Sequence, residues 1–80
     1  MDIKVLGTGC ANCKNTIALI DQVALNKGVV VKLEKVEEVR DIMGYGVMRT
    51  PGVVINGKVV HAGGVPSRDK VEQWFLPGAY

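Results

Sequence analysis

An α/β chain of order β-α-β-α-β-β-α is predicted, and three observations predict it. Two β-rich stretches, Ile3–Gly7 and Val29–Val36, flank a long run with helical periodicity, the pattern of a parallel, right-handed βαβ unit. Two further β-rich runs flank Asn56-Gly57, the strongest short-range hairpin signal. An amphipathic stretch with a serine at its start follows the hairpin. Together they predict one four-stranded mixed sheet in the order 2-1-3-4, flanked by three helices, two on one face and one on the other.

The first strand is "IKVLG", short and closed by glycine. "TGCANCK" leads into the first helix, where Ile17, Ile20 and Ala24 recur at helical spacing, widened by Leu19 and Val23. Asn26-Lys27-Gly28 places a cation in its last turn and a glycine stop after it. "VVVKLEKV" from Val29 reads as a second, mostly buried strand. "VEEVRDIMGYG" reads as a short helix with Glu37 and Glu38 at its start, Gly44 at its end, and Val36, Val39, Ile42 and Met43 turned inward. Pro51 directly precedes "GVVI", so it belongs at the start or edge of that strand. In "PSRDKVEQWFL", Ser67 is the expected N-cap, Asp69 lies in the first turn, and Val71, Trp74 and Phe75 share a face. Pro77 and Gly78 are the expected stop. Met43 and Met48, Trp74 and Phe75 read as core, with a competing role for Met48, beside Val47, Gly63 and Gly64, as an apolar docking rim.

The bulk properties bound the function. Eighty residues are expected to form a single domain, 1–80, with one modest core. Ten basic against eight acidic residues leave a net charge of +2, and the basic residues are scattered singly, which excludes a nucleic-acid stripe. No basic region followed by an apolar stretch of signal-peptide length opens "MDIKVLGTGC", and the longest apolar run is far short of a membrane span. A cytoplasmic location is expected.

In such a reducing compartment the two cysteines, Cys10 and Cys13, are expected to be catalytic or metal-binding rather than a permanent crosslink. A crosslink this short would also remove little chain entropy. Cys10 falls where strand gives way to helix and Cys13 in the first helical turn. Unpaired N–H groups and the helix dipole at that junction favour a Cys10 thiolate; such sites bring a thiol from about 8.5 into roughly the 3.5–7.5 range. Cys10 is therefore the expected nucleophile and Cys13 the resolving thiol. Lys14 adds a nearby cation, Ala11 and Asn12 form the spacer, and Gly7 and Gly9 permit close backbone approach or positive φ.

The chain resembles the small thioredoxin/glutaredoxin-like redox-active disulfide proteins along nearly its whole length. "CANC" after the first strand resembles their Cys-x-x-Cys, "YGVMRTPGVVINGKVVHAGG" their cis-proline and last hairpin, and "PSRDKVEQWF" their C-terminal helix. The resemblance implies a compact thioredoxin fold and a thiol-disulfide oxidoreductase that needs no cofactor or metal. It implies Cys10 as the exposed nucleophile, Cys13 as the buried resolver, and Pro51 as the cis-proline. Thr50 before it would pair with an extended substrate segment by short β-addition. The implied partners are a protein disulfide and an upstream reductant, either a thioredoxin-reductase-like protein or glutathione, with the chain acting as a monomer. The departures are Gly9 in place of the thioredoxin tryptophan and Ala11-Asn12 in place of Gly-Pro, or of the Pro-Tyr common in glutaredoxins. Counting back from Cys10 puts Lys4 at the position of the aspartate that helps thioredoxins deprotonate the resolving cysteine. Gly63-Gly64 with Asp69 is faintly similar to the glutathione pocket of glutaredoxins.

Two other classes compete. "GTGCANC" is similar to the Cys-x-x-Cys loop of copper chaperones, and two thiolates can hold a soft metal such as Cu(I). That fold runs β-α-β-β-α-β, without a helix before the third strand, and Thr8 here replaces its methionine. Zinc needs four ligands, and beyond the cysteines only His61 remains, read as a half-exposed residue of the last strand. A pure interaction module with inert thiols is the third reading.

Overall fold

The computed structural model describes residues 1–9 and 11–76; Cys10 and residues 77–80, with the expected stop at Pro77 and Gly78, lie outside the described residues. Among the described residues the order is β1 (Asp2–Leu6), α1 (Ala11–Lys27), β2 (Lys32–Val36), α2 (Val39–Gly44), β3 (Gly52–Ile55), β4 (Lys58–Ala62) and α3 (Arg68–Trp74). The sheet runs β2-β1-β3-β4, with β1 parallel to β2 and antiparallel to β3, and β3 antiparallel to β4. This is the predicted mixed sheet, and β1 is central because its apolar residues face helices on both sides.

Alternation along β1 and β3 divides the core in two. Ile3, Val5, Val53 and Ile55 pack with Ile20, Val23 and Ala24 of α1 and with Val71 and Trp74 of α3. Leu6 and Val54, on the opposite face, pack with Ile42 and Val47. Each fully buried Val, Leu or Ile contributes about 1.5–3 kcal/mol, so the larger cluster carries most of the stability.

Several local expectations need correction. The second strand starts at Lys32 rather than Val29, and it is an edge strand with no buried residue rather than a mostly buried one. The reason is the end of α1: the Gly28 N–H donates to the Leu25 carbonyl at 3.2 Å and the Val29 N–H to the Ala24 carbonyl at 2.9 Å, a paired cap that takes up the first residues of the run. Val29 and Val31 still pack against the core, whereas Val30 is 90% exposed. In α2, six residues long, only Ile42 is buried; Val39 and Met43 are exposed, as is Met48, so neither methionine is core. Val36 is the last residue of β2 rather than part of the helix, and it packs, partly buried, against the cluster that holds Ile42. Trp74 and Phe75 are buried as expected.

The hairpin and last helix follow their local signals. Asn56 and Gly57 take φ of 49° and 84°, the pair of positive values that a two-residue turn of matching twist requires. A register shift between Val53 and Val54 bends the β3–β4 ladder. The Ser67 hydroxyl accepts from the Lys70 N–H at 3.1 Å, capping α3.

Candidate functional site

The site forms where β1 ends and α1 begins. Cys13, Thr16, Ile20, Val23 and Ala24 are the buried residues of α1; their spacing of three and four draws one stripe along the helix, with Cys13 as its N-terminal member. Cys13 is 3% exposed and borders Gly7 so closely that a Cβ at Gly7 would overlap its sulfur. Gly7 is thus required for close approach, one of the two alternatives the sequence left open for it. Gly9 has φ of 82°. Thr16, fully buried, donates its hydroxyl to the Asn12 carbonyl at 2.7 Å, which satisfies it inside the helix. Sequence reading passed over Thr16 because an apolar-spacing search skips a hydroxyl.

Ala11 and Asn12 are the exposed first residues of α1. Cys10, immediately before them, lies outside the described residues. Thr50 is exposed and its Cβ lies 3.7 Å from where a Gly7 Cβ would stand, so a side chain at Gly7 would meet both Cys13 and Thr50. The Thr50–Pro51 peptide bond is cis. Pro51 is fully buried at the start of β3, and its carbonyl accepts from the Gly63 N–H at 3.0 Å. The structure thereby gathers Gly7, Gly9, Cys13, Thr50 and Pro51 at one rim of the sheet.

Two depressions flank this rim. One, of about 280 Å³, is mainly apolar and lies among Thr8, Val39, Ile42, Met43, Met48 and Thr50. It replaces part of the expected docking rim. Met48 is there, 97% exposed, but Val39 and Met43 complete it rather than Gly63 and Gly64, and Val47 at its base is buried. Gly63 and Gly64 do not line it; they follow β4 at its Pro51 end, where the His61 ring bonds the Gly64 carbonyl through Nε2 at 2.8 Å and receives the Lys70 ammonium at Nδ1, also 2.8 Å. The second depression, about 80 Å³, is walled by Val5, Gly7, Cys13, Lys14, Lys35 and Glu37, among others.

That second cleft corrects the place of Lys4. Residues alternate along β1, so Val5 and Gly7 face α1 and Cys13 while Lys4 faces the other way. Lys4 donates to the Tyr45 hydroxyl at 3.2 Å and approaches Glu34 at 4.0 Å. Its pKa is raised above the ordinary 10.5, first through that hydrogen bond to Tyr45. The position beneath Cys13 belongs to Val5, and the charged groups that face Lys14 across the cleft, Lys35 and Glu37, come from β2 and the residue just after it. A strand-parity count from Gly7, combined with parallel pairing, was the signal that would have found them.

With this geometry in place, comparison with known proteins is informative. The model of the thioredoxin domain family matches residues 1–76. The chain is similar to the thioredoxin of Methanothermobacter thermautotrophicus, 29% identical over 73 residues that span 91% of this chain and 95% of that protein. It is also similar to the thioredoxin of Methanocaldococcus jannaschii, 30% identical over 71 residues that span 89% of this chain and 81% of that one.

Proposed function

The chain belongs to the thioredoxin domain family of thiol-disulfide oxidoreductases, and we propose that it exchanges electrons with protein disulfides through Cys10 and Cys13. Cys10 attacks a substrate disulfide and is left in a mixed disulfide. Cys13 then attacks the Cys10 sulfur and releases the substrate thiol. The observation that carries this reading is the seat of Cys13: buried on the inner stripe of α1, pressed against Gly7, and one glycine away from Thr50. A thiol so placed is shielded from other oxidants and lies three residues from the only other cysteine of the sequence.

Helix α1 starts at Ala11, so Cys10 directly precedes four unpaired N–H groups and the positive end of a 17-residue helix. This favours its thiolate and assigns it the attack. Thr50, exposed at the head of β3, offers backbone groups to an extended substrate segment, and the apolar depression at Met43 and Met48 receives that segment's side chains. Ala11, Asn12 and Gly9 shape the rim around the attacking sulfur. We further propose that the domain, residues 1–80, works as a monomer in the reducing cytoplasm, recharged by a thioredoxin-reductase-like protein or by glutathione. No helix among the described residues is long and apolar enough to cross a membrane.

Redox equilibration of the purified protein against glutathione or dithiothreitol, read by thiol trapping and mass, tests the dithiol. A single reversible two-electron couple between Cys10 and Cys13 supports it. Its midpoint then indicates the recharging system, near about −270 mV for thioredoxin-like poise or about −200 mV for glutaredoxin-like poise. Failure to form an intramolecular disulfide, or purification with stoichiometric copper or zinc on the two thiols, overturns it.

A further inference from the structure

The cleft beside Cys13 contains groups that the exchange scheme has not yet used. Val5 pairs in register with Lys35 across the parallel β1–β2 ladder, and the Gly7 N–H donates to the Val36 carbonyl at 2.9 Å. Those contacts bring Lys35, and Glu37 two residues on, to the side of β2 that faces α1. Lys14 closes the cleft from α1. Lys14, Lys35 and Glu37 are exposed, whereas Cys13 is buried.

Resolution requires the Cys13 thiol to lose its proton, and burial opposes the charged form. The side chain beneath it, Val5, can neither accept that proton nor stabilise a thiolate. Among the described cleft residues the one carboxylate is Glu37. The cleft volume of about 80 Å³ is several times the roughly 10–15 Å³ that one water occupies by this measure, so a water can link sulfur to carboxylate.

We propose that Glu37 accepts the Cys13 proton through water in this cleft, while Lys14 and Lys35 stabilise the thiolate that results. The proposal rests on the dithiol reading above. In the step, the proton passes from sulfur to Glu37 and the Cys13 sulfur bonds to the Cys10 sulfur. The bond between Cys10 and the substrate sulfur breaks, and the substrate departs as a thiolate that is then protonated from Glu37 or solvent. The substrate disulfide gains two electrons and the cysteine pair loses two. The titratable groups facing Glu37 among the described residues are Cys13 and Lys14 from α1 and Lys35 from β2; Gly7 and Gly9 of the intervening loop bring none.

The test is single-turnover mixing of the fully reduced protein with an aromatic disulfide whose released thiolate is coloured. The first equivalent of colour reports attack by Cys10 and the second reports resolution by Cys13. Glu37→Gln is expected to leave the first phase unchanged, to slow the second at least about tenfold at neutral pH, and to change its pH profile. Glu37→Asp is expected to restore most of the second-phase rate. Lys35→Met is expected to move the onset of the second phase to higher pH. An electrostatic influence alone would act in the opposite direction, because removing the negative charge beside a forming thiolate would accelerate resolution. An unchanged or faster second phase in Glu37→Gln therefore overturns the proposal while leaving the dithiol standing. A wild-type protein with no second phase overturns the dithiol reading and this proposal with it.

Discussion

The Cα of Gly7 and the sulfur of Cys13 are so close that no side chain can stand between them. This one contact joins the end of β1 to the first turn of α1 and sets the depth at which Cys13 is held. Gly7→Ala is therefore expected to push Cys13 and α1 outward. Overpacking of this kind costs about 1–3 kcal/mol, and for a domain of this size each 1 kcal/mol lowers Tm by roughly 4–8 °C. Thermal unfolding of the reduced variant checks the stability effect. The coloured-thiol assay checks the chemistry: resolution is expected to slow more than the first attack.

Met43 and Met48 lie 69% and 97% exposed beside Thr50. Exposed apolar side chains next to a reactive site are suited to docking a partner. Glutamate at either position is expected to lower kcat/KM for a protein disulfide several-fold while leaving the rate with a small aromatic disulfide unchanged. Because neither side chain is core, stability should move by no more than about 0.5 kcal/mol. Equal losses with both substrates would remove the docking role.

The last helix offers a graded test of the larger core. Ser67→Ala removes the bond to the Lys70 N–H and is expected to cost about 1 kcal/mol. Trp74→Ala opens a cavity beneath α3, where the indole is 3% exposed, and is expected to cost about 3–5 kcal/mol. Urea midpoints at constant m-value would measure both. A larger loss at Ser67 than at Trp74 would contradict the placement of the core.

The Lys4–Tyr45 contact predicts a pH dependence of known sign. The folded-state pKa of Lys4 is raised above 10.5, chiefly by the Tyr45 hydrogen bond. Its contribution is therefore fully present below 10.5 and is lost as pH rises through the folded value. Tyr45→Phe is expected to return the Lys4 titration toward 10.5, as followed by NMR of its side chain, and to remove this contribution at neutral pH, where it is fully present in the wild type. A Lys4 titration that stays raised in Tyr45→Phe would reassign the effect to Glu34 or Asp2.

Much was legible in the sequence because it is encoded locally. Alternation in "IKVLG", the three-four spacing of Ile17, Ile20 and Ala24, the Asn56-Gly57 turn, the Gly28 stop and the Ser67 cap each act through a few neighbouring residues. Once the element order was set, the handedness of the βαβ connection and the shortness of the hairpin left little choice of sheet order. The association of Thr50-Pro51 with the cysteines was not encoded locally; only the resemblance to a known family implied it.

The tertiary structure decided which faces meet. Loop length between β1 and α1, and the parallel register of Val5 with Lys35, place Val5 rather than Lys4 beneath Cys13 and carry Glu37 into the cleft. The six-residue span of α2 leaves Val39 and Met43 uncovered, and the cap on α1 delays β2 until Lys32. These outcomes depend on parity and distance summed over separate segments. A single-residue change in a connecting loop reverses which face a side chain presents without altering any local pattern. The sequence by itself therefore determined the elements and their order. Three-dimensional packing determined which side chains surround Cys13.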